Sequence, residues 1–159
     1  MEASGKIAIR LDREVAEVLE GRGIRPEDVE GVLAYVEETG SFFTEGSGSR
    51  CLAYRKAERT TYWVEYERED DGYRVITAYS HRMEILEGLN MPAGNRDERI
   101  DWVCAGCARP LEWATVKLRY LDETFAADIP ACPSCQRPLV SEKNAVEKIA
   151  TAEKMLEDK

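Results

Sequence analysis

Cys104-Ala105-Gly106-Cys107 and Cys132-Pro133-Ser134-Cys135 are two C-x2-C pairs, separated by residues 108–131. Two residues between cysteines let a tight turn aim both sulfurs at one point. Residues 108–131 are enough for one β-hairpin, and a hairpin brings the two turns together. Four thiolates in a tetrahedron are the ligand set of a structural Zn²⁺. The alternative is a pair of redox dithiols or simply buried cysteines. Cys104, Cys107, Cys132 and Cys135 are therefore the candidate metal ligands.

Outward from the pairs, the pattern is that of a ribbon. Ile100-Asp101-Trp102-Val103 leads into the first pair. Ala114, Val116, Leu118 and Tyr120 alternate with Trp113, Thr115, Lys117 and Arg119, which predicts a strand. Asp122-Glu123-Thr124 is the expected turn, and Phe125 to Ile129 the returning strand. Trp102, Trp113 and Phe125 supply part of an apolar shell. A unit this small is otherwise marginal, so bound metal should supply much of the rest. Ser141 is placed to cap a last helix over 142–157. Its apolar stripe is Ala145, Ile149, Ala152 and Leu156, with Val146 beside it. Glu142, Lys143, Glu147, Lys148, Glu153 and Lys154 form the opposite, polar face. Docking of the stripe inside the protein is the default expectation.

The N-terminal part reads differently. Ile7, Ile9 and Leu11 share one face of a short strand. Asp12 can cap a helix over 13–20 with Val15, Val18 and Leu19 inward. Pro26, Glu27 and Asp28 suit the first turn of a second helix, about 26–38. Val29, Val32, Leu33 and Val36 recur along it, and Gly40 stops it. Residues 44–50 read as a loop. The period then changes to two, giving strands at 51–57, 60–68 and 73–80, with Asp70-Asp71-Gly72 as a hairpin turn. Val75 and Ile76 fall on opposite faces of the last strand, which is expected to be covered on both sides. Tyr54, Tyr62, Trp63, Tyr66, Tyr73 and Tyr79 are dense on this sheet and read as core and cross-strand pairs rather than as a stacking platform for bases. Cys51 reads as a small buried hydrophobe.

The expected fold class is α+β. An N-terminal strand-helix-helix-three-strand antiparallel domain over 1–87 precedes a linker at 88–99, rich in chain breakers from Gly88 to Asn95. A four-cysteine ribbon with a C-terminal helix follows over 100–159. The N-terminal domain is expected to keep its own core if the ribbon loosens.

The net charge is −9. Residues 1–95 hold 12 Lys/Arg against 19 Asp/Glu, or −7, and residues 96–159 hold 10 against 12, or −2. Neither half is the basic footprint that phosphate contacts require, so nucleic acid is not an expected partner. No apolar run approaches the roughly 18 residues of a membrane span. Met1 to Lys6 carries no signal pattern. Five cysteines, four of them in C-x2-C pairs, are poor material for a secreted disulfide framework. A cytoplasmic location is expected.

Two resemblances follow. The element order over residues 5–83, closed by Arg74-Val75-Ile76-Thr77-Ala78-Tyr79, resembles the RelE/ParE-like toxin fold. In its ribonuclease members that resemblance would place catalysis on basic and aromatic residues; here the positions are Arg55, Tyr79, His81 and Arg82. His81 is the one histidine of the chain. Residues 101–159 resemble a family of small bacterial four-cysteine proteins found beside genes for molybdenum-dependent hydroxylases and labelled as redox proteins. Trp102-Val103-Cys104, Leu111, Val116 to Tyr120, Phe125, Pro130 to Cys135 and Glu153 to Lys159 carry that resemblance. It departs from the neatest ribbons at Ala108 and Gln136, where Gly is common. Rubredoxin-like iron sites, in addition, usually have Gly and an aromatic after the first pair, where this chain has Ala108-Arg109-Pro110. Zn²⁺ is favoured, with Fe as the alternative.

These readings predict a non-enzymatic zinc-ribbon accessory protein, a small subunit or docking partner of a larger enzyme such as a redox complex. The alternatives are an electron-transfer or thiol-redox protein and a toxin-like ribonuclease.

Overall fold

The computed structural model describes residues 7–46, 49–92 and 99–158, without the side chains of 87–92. Its fold is α+β. β1 (Ile9–Leu11) leads into helices α1 (Arg13–Gly21) and α2 (Pro26–Thr39). β2 (Phe43–Glu45), β3 (Arg50–Ala57), β4 (Thr60–Glu69), β5 (Gly72–His81) and β6 (Glu84–Pro92) follow. The C-terminal part holds β7 (Trp102–Cys104), β8 (Arg109–Pro110), β9 (Glu112–Tyr120) and β10 (Glu123–Ala131). A wide helical turn (Asn144–Ile149) then runs into α3 (Ala150–Glu157).

Local chemistry accounts for the helices. Asp28 accepts the Arg25 backbone N–H at 2.9 Å, and Pro26 opens the first turn of α2. Gly40 ends the helix in the left-handed conformation at φ 71°, which costs a glycine little. Val29, Val32, Leu33 and Val36 are all buried. In α1 the expected inward Val18 is instead exposed, and Leu19 carries the burial.

Two sheets form. The larger runs β1-β5-β4-β3-β2-β7-β8, and the smaller runs β10-β9-β6. β3, β4 and β5 are antiparallel neighbours, and β1 adds parallel to β5. Gly72 begins β5 where β1 comes closest. A Cβ there would lie 2.1 Å from the Ala8 carbonyl oxygen, so the position tolerates no side chain. β2 lies partly within the stretch read as loop 44–50. Its signal was too short to show periodicity, and residues 47–48 lie outside the described residues.

The larger sheet is covered on both faces. Cys51, Ala53, Val64, Tyr66, Val75 and Ala78 pack with Leu19, Ile24, Val29, Val32, Leu33 and Val36 under the helix pair. On the other face Phe43, Leu52, Trp63 and Tyr79 share a core with Met83, Leu111, Val116, Leu118, Ile129, Val140 and Ile149. Tyr54, Trp63 and Tyr79 stand in register across three strands. Tyr54 stacks on Trp63 at 4.4 Å, Trp63 lies parallel to Tyr79 at 6.2 Å, and Phe43 extends the row at 6.5 Å from Tyr54. Such pairs add about 0.5–1.5 kcal/mol each beyond burial.

The linker expected over 88–99 is not a break in the structure. Residues 84–92 form β6, which pairs with β9, and residues 93–98 lie outside the described residues. β7, from the C-terminal part, pairs with β2. The two halves thus share a sheet and a core, because the second face of the larger sheet is apolar and needs a cover.

Glu153 corrects the reading of the last helix. Placed by sequence on its polar face, it is 4% exposed. Its Oε2 accepts the backbone N–H groups of both Arg82 and Met83, each at 2.6 Å. Those residues form the corner at which the chain leaves the larger sheet for the smaller. Arg82 also pairs with Glu153 at 3.6 Å and with Glu157 at 2.6 Å. A second clamp joins the covers: where β1 stops, Arg22 reaches Ala78 O at 2.8 Å and Glu142 at 2.8 Å. Ala145 and Ile149 of the expected stripe are buried, so the helix docks internally, while Phe125 of the expected shell is exposed.

Glu153→Ala leaves one buried and one part-buried amide without an acceptor and should cost about 3 kcal/mol, whereas Glu153→Gln keeps an acceptor and should cost less than half of that. Urea denaturation of the two variants checks the order; equal losses would mean that the amides are satisfied some other way.

Candidate metal centre

The first pair of cysteines sits at the end of β7. Cys104 pairs with Phe43 across β2 and with Arg109 across β8. The Ala105 N–H donates to Phe42 O at 3.0 Å, which fixes the first turn to the larger sheet. The second pair follows β10. Cys132 N–H donates to Arg137 O at 3.0 Å, and Gln136 N–H to Cys132 O at 2.8 Å, closing a tight loop. Both turns pass through a left-handed residue just after the pair, Ala108 at φ 55° and Gln136 at φ 66°. These are the two positions where Gly is common in such ribbons. The knuckle conformation is kept, at a cost of about 1 kcal/mol per residue.

The turns converge. One sulfur from each of Cys104, Cys107, Cys132 and Cys135 lies within 4.8 Å of the other three. Cys104 Sγ and Cys135 Sγ are 3.8 Å apart. A tetrahedron with metal–sulfur arms of about 2.3 Å has edges of about 3.8 Å, so the spacing fits. All are free thiols, as is Cys51, which is buried away from the cluster and hydrogen-bonds Ser49 O. Burial opposes ionisation of Cys132. The N–H groups of Cys135 and Ser134, each 3.4 Å from its sulfur, outweigh burial and bring its pKa down to about 7. Burial and the neighbouring thiols push Cys135 in the other direction. A cluster in which Cys132 ionises readily while Cys104 and Cys135 resist is arranged for a cation to supply the missing charge. Cys104 and Cys132 are buried, Cys107 is half-buried, and Cys135 faces outward.

The residues considered for ribonuclease chemistry do not meet. His81 is 3% exposed. Its Nε2 accepts the Trp63 indole N–H at 3.0 Å, so Nδ1 carries the proton and donates to Met83 O at 2.8 Å. Tyr79 is buried and donates to Val140 O at 2.8 Å. Arg55 lies on the opposite face, with its guanidinium against Gly31 of α2. Arg82 is held by the carboxylates of Glu153 and Glu157. The sequence signal for His81 as core was its place at the end of an alternating, two-face-buried strand.

Residues 100–159 match the model of a family described as a domain of unknown function, DUF7479. No curated protein and no solved structure shows significant similarity to the chain.

Burial holds His81 neutral and lowers its pKa from 6.5 to about 4. The unfolded chain therefore binds the proton more readily, and stability should be full above pH 6.5 and fall as the pH drops toward 4, by about 3 kcal/mol from this group. His81→Gln can accept from Trp63 and donate to Met83 O without titrating, so its stability should be flatter across that window in denaturant titrations. A wild-type-like slope in the variant would assign the acid sensitivity elsewhere.

Replacing any one of the four cysteines by Ser should release bound metal and loosen both knuckles. Because β7 pairs with β2 and the ribbon shares a core with Phe43 and Trp63, hydrogen exchange should rise next in β2 and β7 and last under the helix pair. Cys51→Ser should leave metal and exchange unchanged. A ligand variant that stays metal-loaded and protected would remove that residue from the set.

Proposed function

We propose that Cys104, Cys107, Cys132 and Cys135 hold a structural Zn²⁺, and that the protein is a non-enzymatic accessory that docks on a larger enzyme, such as a redox complex. The four-sulfur cluster with tetrahedral spacing is the observation that carries this reading. Zinc bound there would supply cross-linking of β7 and the loop after β10, since it has no accessible change of valence. The chain's own residues do the positioning: the Ala105 N–H anchors one knuckle on Phe42, and the Cys132–Arg137 backbone pair closes the other. The engaged ring nitrogens of His81 support a role outside proton-transfer chemistry. Docking is supported by apolar side chains left outside, Leu121 and Phe125 on the hairpin and Val146 and Met155 on the last helix. The free thiols fit a reducing, cytoplasmic location. No helix of the described residues is long and apolar enough to cross a membrane.

The outward sulfur of Cys135 favours one second reading, an iron centre that passes electrons to a partner across that edge. Metal analysis and the visible spectrum of protein purified without added metal separate the two. A colourless protein with one zinc per chain is expected. A red, reducible chromophore would overturn the zinc assignment. Affinity capture from native cells should then recover one enzyme in stoichiometric amount, and recovery of the bare chain alone would count against the accessory role.

A further inference from the structure

A cavity of about 220 Å³ opens beside the cysteine cluster. Phe42, Phe43, Ala53 and Tyr54 line its apolar side, Cys107 and Cys135 its metal side, and Ser41 and Arg137 are its polar groups. The wall is rigid, since Phe43 is fixed by strand pairs to both Leu52 and Cys104 and Tyr54 is stacked on Trp63. A cavity of about 150 Å³ holds benzene, so this one admits a single ring with a small substituent. Arg137 is half-buried, its guanidinium donating one hydrogen bond to the Tyr35 side chain, with Tyr54 and Cys135 beside it and further N–H groups to donate. The groups that act on it are these tyrosines and Cys135. Ser41 and Arg137 can both donate hydrogen bonds, which calls for an acceptor on the ligand.

Charge selects among acceptors. Four thiolates around a divalent ion leave a net charge of two minus, and the one guanidinium beside Cys135 offsets half of it. A carboxylate placed there would face the residual negative charge at close range, whereas a carbonyl oxygen would take the guanidinium hydrogen bond without that repulsion. We propose that this cavity binds a neutral, one-ring aromatic carbonyl compound, with its ring against Tyr54 and Phe43 and its carbonyl oxygen on Arg137. The preference for a neutral ligand rests on the metal-loaded cluster; the shape of the cavity does not.

The test titrates benzamide and benzoate into the full-length protein, followed by amide NMR and calorimetry, with metal content measured in the same samples. Benzamide should bind saturably with a dissociation constant below about 1 mM. Its shifts should centre on Phe42, Tyr54, Gly106 and Arg137, and benzoate should bind at least tenfold more weakly. Gly106 lines the cavity with open space at its Cβ position, so Gly106→Leu should fold and load metal yet lose benzamide at least tenfold. Arg137→Gln should weaken benzamide and weaken benzoate further, because the charge of the cluster is then no longer offset. Absence of saturable benzamide binding, or benzoate binding as tightly to metal-loaded protein, overturns the assignment. A protein found without metal overturns the metal reading instead, and is seen before any ligand is added.

Discussion

The pairing of β2 with β7 sets Phe43 opposite Cys104, and the arrangement depends on that register. On one side it extends the row of Tyr54, Trp63 and Tyr79 across the larger sheet. On the other it carries the first cysteine turn to within reach of the second. A cluster at this point is therefore joined by backbone hydrogen bonds to the most buried aromatic side chains of the protein. Loss of the ribbon and last helix would expose one face of that sheet, with Trp63, Leu52 and Tyr79 among the groups uncovered. At roughly 1.5–3 kcal/mol for each large side chain returned to water, this is comparable to the whole stability of a small domain.

A sheet with two apolar faces needs two covers, and the two used here differ in kind. The helix pair contributes Leu19, Ile24 and the α2 stripe, and holds itself by ordinary helix chemistry. The ribbon and last helix contribute Val116, Leu118, Ile129, Val140 and Ile149, and need fasteners. The buried carboxylate of Glu153 grips the corner at Arg82 and Met83, Arg22 and Glu142 close the free edge of β5, and the cysteine cluster closes the far end. Buried charges are expensive unless their hydrogen-bonding capacity is used, and Glu153 meets that condition with two amides and a guanidinium.

The same packing decides which polar groups remain available for chemistry. His81 and Tyr79 are consumed by the core, one through Trp63 and Met83, the other through Val140. Arg137 and the outward edge of Cys135 remain at the mouth of an apolar cavity. The part of the molecule with open chemistry is thus the seam between β2, β3 and the two knuckles, where the covers meet.

Spacing and periodicity in the sequence determined the meeting of the four cysteines, both early helices, strands β3 to β5 and the β9–β10 pair. Each of these is encoded by residues close together in the chain. A C-x2-C turn needs only four residues, and an amphipathic stripe repeats within one turn. The hairpin turn fell slightly elsewhere, at Leu121-Asp122 rather than at 122–124, because both residues take positive φ there. Tertiary structure decided what depends on contacts between distant residues. Three-residue β2 and β7 have no periodicity to read and exist because each completes the other's hydrogen bonds. The stretch from Gly88 to Pro92 continues β6, with Met91 and Pro92 pairing with β9 after a shift of register, because β9 offers an edge. Glu153 looked polar-faced because helical spacing gives a direction but not the neighbour found there. Its burial follows from two amides at positions 82 and 83, about seventy residues away in the chain.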